Sequence, residues 1–214
     1  MNSPTPTRRL PFAILAGALL LLCAFGGTLL WRAWGGSAGG ATNEGRPPLE
    51  GADIGGPFVL IDENGLAVTD RSFTGRWKLI YFGYTFCPDV CPTDMQALAQ
   101  GLRAFEAADP ARAARLQPLF VTIDPARDTP DVVKTFTAAF HPRFLGLTGS
   151  PAQVAAASKA YRVYANRGAG SDADYLMDHS AIAYLIDPDG KPISFLPQGA
   201  TPADVAAELT KWVR

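Results

Sequence analysis

Cysteine and histidine are scarce in this chain of 214 residues, which contains three of the former and two of the latter. So few cysteines exclude a small domain held together by many disulfides, and the two residue types together leave few candidates for a metal or thiol site. Acidic residues are absent before Glu44, so the net charge of −1 combines a basic N-terminal end with a mildly acidic remainder. This distribution argues against nucleic-acid binding.

An uncharged run of 22 residues extends from Leu10 to Trp31. As a helix it would be roughly 33 Å long, which is enough to cross a bilayer. We therefore predict a transmembrane helix, and place the anchor over residues 10–34. A cleaved signal peptide is the alternative, although its apolar core is usually only about 7–15 residues and ends at small residues. Cys23 lies inside this run and is expected to be an apolar filler.

The residues that flank this run predict its orientation. Arg8 and Arg9 would keep a short N-terminal segment, residues 1–9, in the cytoplasm, while Trp31 and Trp34 would lie at the opposite interface. We expect a single-pass protein of the bacterial inner membrane whose soluble domain faces the periplasm. A bacterial source is favoured over a mitochondrial one because no extended presequence precedes the run.

A linker rich in Gly, Ala and Ser, residues 35–48, is predicted to be flexible and to precede one folded domain, residues 49–214. The order of its elements predicts an α/β sheet with helices on both faces and a terminal antiparallel hairpin, compatible with a thioredoxin-like fold. The predicted elements are a hairpin around Asn64-Gly65, a buried strand KLIYFGYTF, a helix from Pro92, a buried strand PLFVTID, a helix over 130–140, a short extended run RFLGLTG, a helix over 151–161 opened by Ser150, a hairpin of HSAIAYLID and KPISFLP, and a helix over 202–213 opened by Thr201.

Cys87 and Cys91 are separated by three residues and stand between a predicted buried strand and a helix. In open α/β sheets, sites are generally built at this end of a strand. Pro88 disfavours helical geometry at Cys87 and Pro92 suits the first helical position, so we predict Cys91 at the N-cap and Cys87 in the preceding loop. Both thiols would then meet at a helix N-terminus, whose dipole stabilises a thiolate.

The surroundings of the pair leave its chemistry open. Asp89 and Asp94 oppose thiolate formation, an effect that a bound cation would offset. The spacing is one residue longer than the Cys-x-x-Cys of thiol oxidoreductases, which weakens a purely redox interpretation without excluding it. A structural disulfide is the third alternative, although closing so small a loop constrains little entropy.

His179 directly precedes a strand that is predicted to neighbour the cysteine strand. It is either a third metal ligand or an ordinary hydrogen-bonded residue, whereas His141 is expected to be a loop residue. Two thiolates and one imidazole suit copper, since thiolates favour Cu(I) and mixed nitrogen and sulfur ligation suits Cu(II). Zinc accepts the same ligands, so ligand type alone does not decide the metal.

Three further positions have two interpretations each. Asp178 either orients the imidazole or is a solvated loop residue, and Met177 either is a weak axial ligand or fills the core. The segment Asp124–Pro130 follows the second buried strand and either lines the same site or begins a helix, with Asp128 or Thr129 as its cap.

Three segments of the chain, YFGYTFCPDVCPTD, VTIDPARDTP and YLMDHSAIAYLIDPDG, resemble the Sco/SenC family of copper-binding proteins, which help to assemble the Cu-A centre of cytochrome c oxidase. The resemblance covers roughly residues 49–214. It implies a thioredoxin-like fold and copper bound by Cys87, Cys91 and His179. Many relatives carry other residues where Phe86 and Met177 stand.

The resemblance implies a membrane-anchored copper metallochaperone that holds Cu(I) or Cu(II) and delivers it to cytochrome c oxidase subunit II. Copper binds only the reduced cysteine pair, so binding would be coupled to redox state, and other thioredoxin-like or copper-chaperone proteins would be further partners. The alternative is a thiol-disulfide reductase that keeps the copper-ligand cysteines of the oxidase reduced. A peroxide-reducing enzyme of the same fold is a weaker third interpretation. His179 discriminates, because a metal site needs it and dithiol exchange does not.

Overall fold

A seven-stranded mixed sheet forms the centre of this computed structural model, which describes residues 45–171 and 174–214. Residues Pro47–Arg214 form one compact unit. The predicted cytoplasmic segment, the anchor and most of the linker lie outside the described residues, and the domain boundaries stay predictions. Within the described ranges, no helix is both long and apolar enough to cross a bilayer.

The elements follow the predicted order with few additions. The strands are β1 (Val59–Asp62), β2 (Ala67–Thr69), β3 (Trp77–Gly83), β4 (Leu116–Thr122), β5 (Leu145–Thr148), β6 (Ala165–Arg167), β7 (Met177–His179), β8 (Ile182–Ile186) and β9 (Pro192–Pro197). The helices are α1 (Val90–Ala108), α2 (Pro110–Ala113), α3 (Pro130–Ala138), α4 (Pro151–Ala160) and α5 (Pro202–Trp212), and a 3₁₀ turn covers Asp70–Phe73.

The strand order in the large sheet is β2-β1-β5-β4-β3-β8-β9. The central strands β3, β4 and β5 are parallel, whereas β1 pairs antiparallel with β5 and β8 pairs antiparallel with β3. At the edge, β9 pairs antiparallel with β8. All seven residues of β3 are buried, as expected for an apolar run that is covered on both faces of the sheet. The predicted α/β class, the hairpin around Asn64-Gly65 and the terminal hairpin are thereby confirmed.

Two adjacent residues of β3 show that helices cover both faces of the sheet. The Tyr81 hydroxyl donates to Asp94 of α1 at 3.1 Å, while the ring of Phe82 lies 5.3 Å from that of Tyr161, directly after α4. Because successive side chains of a strand point to opposite faces, α1 and α4 lie on opposite sides. Helix α5 packs against α1.

Two local features differ from the predictions. Helix α1 begins at Val90 with Asp89 as its N-cap, so Cys91 lies in the first turn and not at the cap. Pro92 does not prevent this earlier start, because N–H groups of the first turn have no intrahelical acceptor. The second difference is a small sheet of β6 and β7, two polar strands of three residues without a periodic pattern.

Candidate metal centre

Cys91 continues the apolar face of α1, one turn before Met95. Its side chain is fully buried, and the sulfur lies against Gly83 at the end of β3. A Cβ at position 83 would stand 3.0 Å from the Cys91 sulfur and 2.8 Å from the ring of Tyr81. Glycine therefore leaves the space that this sulfur occupies. The buried face of α1 comprises, among others, Cys91, Met95, Leu98, Leu102 and Phe105.

Cys87 lies in the loop between β3 and α1 and is half-buried. Its backbone N–H donates to the Tyr84 carbonyl at 3.4 Å, and its sulfur accepts from the Cys91 N–H at 3.3 Å. This sulfur thus satisfies one of the free amides of the first helical turn. The predicted convergence of both thiols at a helix N-terminus is what the structure shows, with Cys87 outside and Cys91 inside.

The cysteine loop is held by the buried carboxylate of Asp128. It accepts the Thr85 N–H at 3.1 Å and the hydroxyls of Thr85 and Thr122, each at 2.6 Å. Thr129 is the N-cap of α3 by backbone geometry, but its side chain makes no capping hydrogen bond. The predicted helix start is therefore confirmed with Thr129 at the cap position and not with Asp128, whose carboxylate binds the loop that carries Cys87.

His179 ends β7 and points its Nε2 at the Cys91 thiol, with 3.4 Å between the nitrogen and the sulfur. Its Nδ1 donates to the Ser180 carbonyl at 3.1 Å, which assigns the ring proton to Nδ1 and leaves Nε2 unprotonated, with its lone pair facing the Cys91 thiol. Burial lowers the pKa of His179 and so favours the neutral imidazole. Asp178 is exposed and adjacent to His179 on the strand, so the predicted orienting role belongs to the Ser180 backbone.

The surroundings of the Cys91 sulfur favour the neutral thiol over the thiolate. Burial raises the pKa of the Cys91 thiol, so in the absence of a cation this sulfur keeps its proton at neutral pH. Asp89 is exposed at the helix N-terminus. The Asp94 carboxylate is engaged by two donors, the Tyr81 hydroxyl and the Gly199 N–H, each at 3.1 Å.

The ligand atoms of Cys87, Cys91 and His179 all lie within 4.8 Å of one another. Metal–sulfur and metal–imidazole bonds of about 2.0–2.3 Å place two ligand atoms roughly 3.5 Å apart in tetrahedral geometry and roughly 4.6 Å apart in linear geometry. The cluster therefore fits one ion. Both cysteines are free thiols, so the pair is available as a ligand. His141 is not part of this cluster.

The sequence model of the SCO1/SenC family matches residues 46–214. This chain belongs to the SCO1/SenC family. The two cysteines and the histidine that meet at the end of β3 are the residues that the resemblance to Sco proteins implied. Their ligand atoms lie close enough together to bind one ion.

Relatives agree with this assignment in sequence and in structure. The chain is 47% identical over 144 residues to the human mitochondrial SCO2 homolog, covering 66% of this chain and 53% of that protein. Bradyrhizobium japonicum ScoI with copper bound is 45% identical, with a TM-score of 0.67 over 74% of this chain and 99% of that one. BsSco, a member of the Sco family of cytochrome c oxidase assembly proteins with an identified disulfide switch, is 26% identical, with a TM-score of 0.54 over 72% of this chain and 90% of that one.

The coverage of the relatives is uneven. The chain spans about half the length of the curated relatives it matches. The solved ScoI chain, in contrast, consists almost wholly of the matched region. That region therefore folds in ScoI without a preceding segment, and we use the corresponding fragment of this protein, residues 45–214, in the experiments below.

A cleft of about 290 Å³ opens beside the Sco cysteine pair. Cys87 and His179 line it together with Met177, which also packs against the core. The role of Met177 as a weak axial ligand stays a prediction. Phe86, at the edge of this region, is 49% exposed, and the guanidinium of Arg127 lies 4.5 Å from its ring centre.

Sequence reasoning did not predict that the loop after β4 is hydrogen-bonded to the segment that leads to His179. The Tyr175 hydroxyl donates to Asp124 at 2.7 Å, and Arg127 donates to Asp124 at 2.6 Å and to the Tyr175 carbonyl at 2.9 Å. These bonds tie the loop after β4 to the residues that lead into β7. The available signal was a polar run, DPARD, placed directly after a buried strand at the same end of the sheet.

Proposed function

We propose that this protein binds copper through Cys87, Cys91 and His179 and delivers it to the Cu-A site of cytochrome c oxidase. The observation that carries the proposal is the convergence of two thiols and one unprotonated imidazole nitrogen within 4.8 Å. Soft thiolate ligands select Cu(I), and the added imidazole also suits Cu(II). Copper-bound ScoI and the oxidase-assembly role of the Sco family support this choice of metal and acceptor.

The unequal exposure of the ligands suits a carrier. Cys91 is fully buried, whereas Cys87 and His179 are half-buried and line an open cleft. A ligand of the acceptor protein reaches the copper ion through this cleft and replaces Cys87 first, while Cys91 holds the ion until transfer is complete. Copper requires both sulfurs as thiolates, so oxidation of the pair to a disulfide blocks loading.

The proposed location is the bacterial inner membrane, with the folded domain in the periplasm beside subunit II of the oxidase. It is supported by the uncharged run from Leu10 to Trp31 and by the arginines that precede it. A fusion of alkaline phosphatase after residue 48 tests this topology, because the enzyme folds only after export. An active fusion is expected, and an inactive one at normal expression would contradict this topology.

The test of copper binding is a titration of the reduced fragment of residues 45–214 with Cu(I) against a chromophoric competitor, and with Cu(II) followed by thiolate-to-copper absorption. We expect one copper per protein, and a loss of affinity of at least roughly tenfold in Cys87→Ser and His179→Ala. His141→Gln is the matched control, because His141 is not part of the cluster and glutamine keeps a polar side chain at this buried position. Absence of stoichiometric binding by the wild-type fragment would overturn the proposal.

A thiol-disulfide reductase is the second candidate, favoured by the position of the Cys87 sulfur at the helix N-terminus with Cys91 behind it. The Cys87 thiolate would attack a disulfide of the oxidase and release one thiolate, forming a mixed disulfide. Cys91 would then attack the Cys87 sulfur, which frees the reduced oxidase dithiol and leaves a Cys87–Cys91 disulfide. A thioredoxin-like dithiol supplies the two electrons for the next cycle.

This second function is tested with the copper-free fragment and a disulfide-bearing peptide of oxidase subunit II. Reduction by both wild type and His179→Ala, but not by Cys87→Ser, is the expected result for a reductase. If no reduction occurs while copper binding is intact, the carrier function stands alone.

A further inference from the structure

Met177 lines two clefts of this protein. One is the cleft beside the metal centre, and the other is a larger cleft of about 470 Å³ between α4 and the small β6–β7 sheet. Clefts that hold small molecules in proteins are about 300–1,000 Å³. The second cleft thus has the volume of a ligand site and shares one wall residue with the copper site.

The lining of the second cleft combines polar and apolar side chains. The uncharged polar residues are Asn166 of β6, which is exposed, and Ser158 of α4, whose hydroxyl oxygen is buried away from the cleft. The apolar walls are formed by Ile123, Pro125, Val154, Val163 and Met177.

The charged side chains that line this cleft have one sign. They are Lys159, which is exposed at the end of α4, and Arg167 of β6, whose guanidinium lies 4.1 Å from the ring centre of Tyr175. Among the described lining residues there is no carboxylate. A ligand that carries a negative charge is therefore favoured over a cationic one.

We propose that this cleft binds a small organic anion with an apolar body. The apolar part lies against Val154, Val163 and Met177, and the acidic group faces Lys159 and Arg167. Such a ligand contacts the strand that carries His179 but none of the copper ligands. Its binding is thus independent of the proposed copper function.

The probe is 8-anilinonaphthalene-1-sulfonate, which combines aromatic rings with a sulfonate. Met95 and Met177 are the methionines of the fragment of residues 45–214, and Met95 is fully buried in the core. With methyl-labelled methionine, we expect the probe to shift the NMR signal of the Met177 methyl group and to leave that of Met95 unchanged. An unmoved Met177 signal at saturating probe would overturn the proposal.

Two neighbouring alanines of α4 give a matched pair of variants. Ala155 and Ala156 are both exposed. Of these two residues, Ala155 lines the cleft and Ala156 does not. We expect Ala155→Phe to abolish the fluorescence of the bound probe and Ala156→Phe to preserve it, with both variants melting as the wild type does. Equal binding by the two variants would show that the probe lies elsewhere, and would refute the assignment.

The charge of the ligand is tested separately. N-phenyl-1-naphthylamine, the neutral analogue, should bind more weakly than the sulfonate, and Lys159→Gln should weaken sulfonate binding roughly two- to fivefold. His179→Ala should keep the affinity for the probe even where it loses copper. Tighter binding of the neutral analogue would exclude the anionic ligand class.

Discussion

Cys87 and Cys91 carry the same functional group in different surroundings. The Cys87 sulfur is half-exposed in a loop and accepts the Cys91 N–H, whereas the Cys91 thiol is fully buried against Gly83. The nucleophilic reactivity of a cysteine increases with its exposure and with the fraction present as thiolate. Burial limits access to Cys91 and raises the pKa of its thiol. The two thiols therefore have separate chemical roles.

We predict that iodoacetamide modifies Cys87 at least roughly tenfold faster than Cys91 at pH 7.5 in the copper-free fragment of residues 45–214. Quenched alkylation followed by peptide mass mapping measures both rates in one sample. Denatured fragment, in which the two rates should converge, is the control. Equal rates in the folded fragment would contradict the assignment of Cys87 as the outer thiol.

Gly83 is predicted to be indispensable for the position of the Cys91 sulfur. In Gly83→Ala the new methyl group overlaps the sulfur and the Tyr81 ring, and such overpacking typically costs about 1–3 kcal/mol of unfolding free energy. Urea unfolding should show this loss, and the Cu(I) titration should show weaker binding because the sulfur is displaced. Gly45→Ala, where the added Cβ meets open space, is the control. Unchanged values for both variants would contradict the packing argument.

Three helices begin with the same kind of dipeptide, a Ser or Thr followed by Pro. Ser150 and Thr201 open α4 and α5, as the sequence predicted. In the structure each also exchanges side-chain hydrogen bonds with the third helical residue. Thr129 opens α3 in the same position without any side-chain capping bond. The dipeptide therefore predicts where a helix begins, but not whether the side chain stabilises it.

We predict that Ser150→Ala lowers the free energy of unfolding by about 1 kcal/mol, because it leaves an amide of the first turn without its acceptor. Thr129→Ala is the matched control and should change the free energy of unfolding by less than about 0.5 kcal/mol. Urea denaturation of both variants measures the difference. Losses of equal size would contradict the distinction between the two caps.

A buried histidine far from the metal centre joins distant parts of the domain. His141, after α3, accepts the Arg143 N–H at Nδ1 (3.2 Å) and donates from Nε2 to Glu106 of α1 (3.2 Å). The geometry requires a neutral ring, since protonated Nδ1 cannot accept. His141 lies in a loop as predicted, but it is 4% exposed and structural.

The lowered pKa of His141 should make the free energy of unfolding depend on pH. Burial lowers the pKa of His141 below the value of about 6.5 in the unfolded chain, so below that pH the unfolded state binds more protons. Its contribution is complete above pH 6.5 and declines as the pH falls toward the folded-state pKa. The stability advantage of the wild type over His141→Gln should thus shrink between pH 7.5 and 5.5 in urea unfolding. An advantage that grows at low pH would show that His141 gains a proton on folding.

Features that depend on neighbours a few residues away could be predicted from the sequence. The apolar periodicity of β3 and α1, the hairpin at Asn64-Gly65 and the helix starts at Ser150 and Thr201 are all local, and each is confirmed. The placement of the cysteine pair between strand and helix is local as well. The start of α1 was misplaced because Pro is tolerated in the first turn of a helix, and the short strands β6 and β7 were missed because they have no periodic pattern.

Which side chains converge on the cysteine pair depends on the long-range packing of the domain. His179 is 88 residues from Cys91 in sequence, and it approaches the sulfur because β8 pairs with β3 and carries the end of β7 with it. The Asp128 carboxylate acquires its role from the same long-range arrangement, because Thr85 lies 43 residues away in sequence. Such contacts leave no periodic signal, since their geometry is set by strand pairing and packing between segments that the sequence separates.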